Sequence, residues 1–180
     1  MPFALKKQKA TLEHLNTRAE KHGDQNMLAV DIKIVSDVPN TFLSQLDPDL
    51  KASLYKTEEG ESQASLVEDA GHMPVLRYPS MAAFKYQVSM VKAKLTIHGA
   101  KKENDLSFEV KITDIKLDCK HGGTVELTFS AATLPEAEQV GELSGMLKQD
   151  IRVSVSGGQV EDDQRDPPPA GEPGEQAALH

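Results

Sequence analysis

Apolar and polar positions alternate along most of this chain, and the points where the alternation breaks, shifts phase or changes period mark out its elements. From Ala10 to Lys21, Thr11, Glu13, Leu15, Thr17 and Ala19 interleave with Leu12, His14, Asn16 and Arg18, a mixed pattern that fits an edge strand better than a frayed helix. His22-Gly23-Asp24-Gln25-Asn26 is turn chemistry, and Leu28, Val30, Ile32 and Ile34 then recur with the period of two of a half-buried strand. The two strands form a hairpin. Pro39 cannot donate to a ladder and ends the second strand, with Asn40 or Thr41 placed to cap the next segment. Phe42, Leu43 and Leu46, then Leu50 and Leu54, recur every three or four residues, and Asp47-Pro48 restarts the period, so two short helices are expected up to Tyr55.

The clearest alternation lies in 84–131. Tyr86, Val88 and Met90 define one face before the phase shifts to Val91, Ala93, Leu95 and Ile97, which predicts a bulge near Met90. Beyond the turn 99–104 come Leu106, Phe108, Val110 and Ile112, a second phase shift to Ile115 and Leu117, the His121-Gly122-Gly123 turn, and Val125, Leu127 and Phe129. This is a three-strand antiparallel meander. Leu134-Pro135-Glu136 opens a helix whose Val140, Leu143 and Leu147 share a face, and Ile151, Val153 and Val155 supply a last strand. The fold class expected is mainly β, in an α+β arrangement. An antiparallel sheet of about six strands forms a sandwich or partly open barrel, with two or three short helices packed on it.

Residues 1–156 are read as a single domain. Within it, 57–72 carries Glu58, Glu59, Gly60 and Glu61 with few large apolar groups, and is expected to be a mobile loop. Residues 157–180, with Pro167-Pro168-Pro169 and Pro173, read as a disordered acidic tail. Of the formal net charge of -8, the tail holds -5, leaving -3 on residues 1–156. A body so nearly balanced neither demands nor forbids a nucleic-acid surface. The single Cys119 removes any intramolecular disulfide and fits a reducing compartment, the cytoplasm by default, and no segment reads as a signal peptide or a membrane span.

Chemistry is sparse. Cys119 and His121 point the same way on an extended chain, the minimum for a thiolate nucleophile, but no third group orients the imidazole and a strand-end cysteine beside a turn histidine accounts for the same letters. His22, His98 and His121 each precede a glycine at a strand end; antiparallel order sends His98 and His121 to opposite ends, so they read as turn residues and not as a metal site. Phosphate-binding glycine loops, paired zinc cysteines and nucleophile elbows are absent from the sequence. No enzyme activity, cofactor or metal is expected. The meander is the most basic region, and Lys92, Lys94, Lys101, Lys102, Lys116 and Lys120 are the candidate nucleic-acid contacts. Edge-protecting lysines on solvated strands explain them as well, because Phe84, Tyr86, Phe108 and Phe129 fall mostly on the apolar alternation.

The stretch Asn16-Thr17-Arg18-Ala19-Glu20-Lys21-His22-Gly23, followed by Leu28-Ala29-Val30-Asp31-Ile32-Lys33 and by Leu50-Lys51-Ala52-Ser53-Leu54-Tyr55, resembles an uncharacterised family of small bacteriophage- and prophage-encoded proteins. The resemblance covers about a third of the chain and implies a setting among genes of DNA replication or recombination. The function expected is that of a non-enzymatic accessory binding protein acting on nucleic acid or a host protein. The alternative is a structural or assembly protein of the phage particle that self-associates through sheet edges.

Overall fold

Gly23, in the left-handed conformation at φ 61°, lies between the first two strands, both of them long. In the computed structural model, which describes residues 3–23, 25–57, 73–99 and 104–161, β1 (Leu5–His22) and β2 (Gln25–Pro39) pair antiparallel with His22 opposite Gln25. Val30, Ile32 and Ile34 are fully buried, as their alternation requires. A 3-10 turn (Asn40–Phe42), α1 (Leu43–Leu46) and α2 (Leu50–Leu54) follow, matching the two expected short helices. Short strands β3 (Tyr55–Lys56) and β4 (Val75–Leu76) pair with each other. The expected mobile loop falls, apart from Thr57, outside the described residues.

Next come β5 (Phe84–Tyr86), β6 (Ser89–His98), β7 (Leu106–Lys120), β8 (Thr124–Thr133), α3 (Ala137–Gly145) and β9 (Asp150–Glu161). The meander β6–β7–β8 has the expected neighbours. Both predicted phase shifts are bulges: the β6–β7 register slips between Met90 and Ala93, and the β7–β8 register between Thr113 and Lys116. The last strand continues beyond the expected boundary at 156, with Glu161 opposite Ser89, and residues 162–180 lie outside the described residues. Helix α3 starts at Ala137 and ends at Gly145, so Leu147 is left 42% exposed and Met146 packs against the core in its place.

The sheet does not form a sandwich or a partly open barrel. Strands β7, β6, β9, β1, β2 and β8 pair in that order, and β8 pairs back to β7, so the six antiparallel strands close into a barrel. Strand β5 is the extra one. It lies on the same edge of β7 as β6, with Tyr86 opposite Ile115 and Met90 opposite Ile112, so it continues the line of β6 after a break at Gln87 and Val88. Alternation reports which side chains point inward; it does not report which distant strands are neighbours, and closure depends on the pairings β2–β8, β1–β9 and β6–β9.

Long strands must bend to close a small ring, and bulges supply the bend. Three left-handed residues sit at register slips: Lys7 (φ 46°) in β1, Lys92 (φ 56°) in β6 and Asp114 (φ 51°) in β7. The inward side chains fill the ring as one core, with Leu12, Leu95, Ile112, Leu127 and Val153 at 0–1% exposure. One end is plugged by Phe3, which meets Phe42 and Phe129 edge-on at 5.3 and 5.9 Å. Beside it, the buried Tyr55 hydroxyl lies 2.9 Å from both the Lys120 and Thr124 carbonyl oxygens, holding the base of the β7–β8 turn. Gly123 in that turn takes φ 77° and lies so close to the Asn40 amide that a Cβ there would come within 3.2 Å of it.

Two expectations follow for equilibrium urea unfolding. Lys92→Gly relieves a left-handed lysine and raises stability by about 1 kcal/mol, whereas Lys94→Gly, on ordinary strand backbone, lowers it by about 0.5–1 kcal/mol. Tyr55→Phe removes the single hydroxyl proton that the Lys120 and Thr124 carbonyls share and lowers it by about 1–3 kcal/mol.

Candidate functional site

The candidate lysines that the structure describes do not gather into one patch. Lys92 and Lys94 are exposed on β6, and Lys94 lies opposite Glu109 of β7. Lys116 is exposed farther along β7, seven positions from Glu109 and so roughly 20 Å away. Lys120 is engaged, 2.6 Å from Glu126 and 3.6 Å from Asp37, and these carboxylates raise its pKa above the usual lysine value. Lys101 and Lys102 lie outside the described residues. Other bases of the barrel wall are also paired: Lys111 with Glu161 at 2.6 Å, Lys9 with Asp150 at 2.7 Å and Lys85 with Asp114 at 3.5 Å. None of the four candidate rings offers a platform beside them: Phe108 and Phe129 are core residues, Phe84 and Tyr86 pack against the core, and the Tyr86 hydroxyl donates to the Leu46 carbonyl.

Cys119 is half-buried beside the Tyr55 hydroxyl. Burial pushes its thiol pKa up and Asp118 pushes it the same way, outweighing the hydrogen bond from Tyr55, so the environment disfavours the thiolate a nucleophile needs. His121 is exposed on the turn after β7. His98 ends β6 and His22 ends β1 at its hairpin, so the three histidines stand at separate places.

His98 belongs to a chain of hydrogen bonds that the sequence does not reveal. Its Nδ1 is 2.9 Å from Asp105 Oδ2, and its Nε2 is 2.7 Å from Ser154 Oγ. Asp105 Oδ1 accepts the Gly99 N–H at 3.1 Å, and Ser154 Oγ accepts the Lys7 N–H at 2.9 Å. The order of groups is that of a serine-hydrolase relay, but Ser154 sits on a regular stretch of β9 and not on an exposed turn over a cleft, and its oxygen satisfies the amide that the β1 bulge turns out of the ladder. The relay therefore ties β1, β6, β9 and the β6–β7 turn together. Burial works to raise the Asp105 pKa, but the His98 bond, the Gly99 N–H and Lys7 outweigh it and hold the carboxyl below the usual range. The cross-strand pair Thr96 and Ser154 is what brings the serine diagonally opposite His98, and no local pattern announces it.

Clefts mark where the wall is interrupted. One of about 700 Å3 lies at the break between β5 and β6, lined by Lys85, Tyr86, Val88, Asp114, Val160 and Glu161. Another of about 500 Å3 lies where β1 parts from β2, lined by Leu5, Gln8, Val38, Phe42 and Gln45. Across this seam Gln8 Nε2 donates to the Asp37 carbonyl and Ser36 Oγ to the Lys9 carbonyl.

The largest irregularity is a ribbon. Strand β1 pairs with β9 only as far as Thr11, and Leu12 exchanges bonds with Lys148 and Gln149; β2 pairs with β8 only from Val30 onward. Residues 18–22 of β1 and 25–29 of β2 thus run on beyond the barrel wall, paired only with each other among the described residues, and the outer edge of β1 has no strand neighbour already from Glu13 onward. Arg18 bonds to Asp31 and Glu20 across and along this ribbon, and Glu13 is tied to Lys148. Met27 and Leu28 are each 40% exposed near its tip. Sequence patterning located the hairpin but not the point at which its outer edges lose their neighbours.

Comparison of the chain with protein-family models, with curated proteins and with solved structures finds no match. Among the described residues no group of three His, Cys, Asp or Glu side chains is placed to hold a metal ion, and no helix is long and apolar enough to cross a membrane.

The relay predicts acid behaviour. A carboxyl whose pKa is lower folded than unfolded adds stability above the unfolded value, about 3.9 for aspartate, and that contribution is lost as pH falls through the lower folded value. Urea unfolding at pH 6 and pH 3 is therefore expected to show Asp105→Asn clearly less stable than the parent at the higher pH, with the gap narrowing at the lower. A gap independent of pH would contradict the lowered carboxyl.

Proposed function

We propose that this chain is an accessory protein of bacteriophage or prophage origin that acts by binding, and that its working surface is the β1–β2 ribbon with a polypeptide as partner. The observation that carries this reading is the pair of open ribbon edges. Closure of the barrel pairs both edges of β8 and, from Lys111 onward, of β7, so the longest runs of backbone donors and acceptors available for a new strand are residues 13–22 and 25–29, with shorter stretches at 106–110 of β7 and at the glycine-bent end of β9. Exposed Met27 and Leu28 add apolar area beside those edges. The phage setting, and a place near DNA replication or recombination, rest on the resemblance at residues 16–33 and 50–55.

A nucleic-acid partner is the second reading, favoured by Lys92, Lys94 and Lys116, which are exposed and make no ion pair among the described residues. Three dispersed cations give a shallow salt dependence and weak binding. The test replaces residues 18–29 with Asn-Gly, so that Thr17 and Val30, already opposite each other, flank a two-residue turn and the barrel is kept. Fluorescence anisotropy with labelled single- and double-stranded DNA at low and moderate salt is run beside light-scattering mass measurements on both proteins. The expected result is negligible DNA binding at moderate salt and association of the full chain alone. Tight, salt-sensitive DNA binding that survives loss of the ribbon would overturn the polypeptide reading.

A further inference from the structure

We propose that the partner of the ribbon is a second copy of this chain, joined β1 edge to β1 edge about a two-fold axis through Thr17; this rests on the ribbon being the working surface. The occupant is argued from charge. The outer edge of β1 from Glu13 to Lys21 has no strand neighbour among the described residues, and it is self-complementary when run antiparallel to itself. With Thr17 on the axis, Glu13 faces the second copy's Lys21, His14 faces Glu20, Leu15 faces Ala19 and Asn16 faces Arg18. Each opposition occurs twice by symmetry.

The axis must fall on a residue, because opposed side chains in a continuous antiparallel sheet share a face while neighbours in one strand do not. Moving it to Arg18 sets that guanidinium against its own copy, and moving it to Asn16 sets His14 against Arg18. An axis at Ala19 runs the pairing off the hairpin end at His22. The register at Thr17 alone uses the whole of 13–21 without opposing like charges. It also sorts the faces. Leu15, Thr17 and Ala19 form a weakly polar centre on one side with the Glu13–Lys21 pairs at its flanks, and His14, Asn16, Arg18 and Glu20 lie on the other. Within each chain Glu13 is bonded to Lys148 and Arg18 to Glu20 and Asp31, contacts that hold these side chains near their strand positions before a partner arrives. The result is an isologous four-stranded sheet linking two barrels.

The test uses the full chain. Sedimentation equilibrium is expected to show a monomer–dimer equilibrium that Lys21→Glu or Glu13→Lys weakens by about tenfold, because each reverses two symmetry-related pairs, and that the double exchange Glu13→Lys with Lys21→Glu restores. Under mild oxidation Thr17→Cys is expected to form a cross-linked dimer, whereas Leu15→Cys and the parent, whose own thiol is the half-buried Cys119, are not. These positions, other than half-buried Leu15, are away from the core, and unchanged circular dichroism confirms folding of each variant. Two outcomes overturn the inference in different ways. If the full chain associates and the Asn-Gly variant does not, but Thr17→Cys fails to cross-link and the double exchange fails to rescue, the register is wrong and the ribbon remains the binding surface. If the full chain stays monomeric at every concentration, the second copy is not the partner.

Discussion

Six long antiparallel strands close here into a narrow ring, and in three of them the bend falls on a residue other than glycine held in the left-handed conformation. Lys7, Lys92 and Asp114 all take positive φ at register slips, and none is glycine. Each left-handed lysine costs on the order of 1–2 kcal/mol. That cost is tolerated because the slip keeps large apolar side chains on the inner face on both sides of the bend. Met90 and Ala93 are both buried across one slip, as are Ile112 and Ile115 across another. Without the extra residue, everything beyond the bend would turn outward and one half of each strand would lose its core.

The rest of the molecule follows from closure. The Lys7 amide leaves the ladder at its bulge and is recovered by Ser154, which in turn is bonded to His98 and through it to Asp105. A constellation that matches a catalytic relay in order and distance is in this setting a way of satisfying one displaced backbone donor. The seam between β1 and β2 is met in the same manner, with Ser36 and Gln8 supplying by side chain the bonds the parted backbones no longer make. Polar side chains at irregularities of the wall thus substitute for ladder bonds, and function is not the first explanation for them.

What the sequence discloses divides along the same line. The phase shifts at Met90 and after Ile112 are local, and they located both bulges, the meander and the buried faces. Closure into a barrel depends on β2–β8, β1–β9 and β6–β9, pairings between segments as far apart as Leu5 and Val155, and alternation carries no information about them. For that reason a sandwich and a barrel were indistinguishable. The spread of the described lysines has a related cause: Lys92 and Lys116 occupy one meander in the sequence, yet the length of β7 separates them, and Lys120 meets Asp37 of β2 only because β8 lies between β7 and β2. The ribbon was half legible. The hairpin is legible in the alternation, but its strands run through His22, Gln25 and Asn26, which read as turn, and its freedom from neighbours is a property of where β8 and β9 stop.

That freedom is itself physically telling. A two-stranded ribbon in water is marginal, since three or more strands or a packed face are normally needed to hold one. Here the base of the ribbon is secured by the barrel through Thr11, Leu12 and Val30, and its middle by Arg18 between Asp31 and Glu20. Nothing comparable steadies the outer backbone groups of residues 13–21 among the described residues. Edges of this length are ordinarily blunted by proline, by a bulge or by being cut short. The chain ends β2 at Pro39 and bends β9 at Gly157 and Gly158, and leaves this edge long, its register slip confined to the base between Leu12 and His14, with no proline and no positive-φ residue beyond it. An edge kept regular from His14 onward while others are interrupted, and charged so that it complements itself, is shaped for pairing.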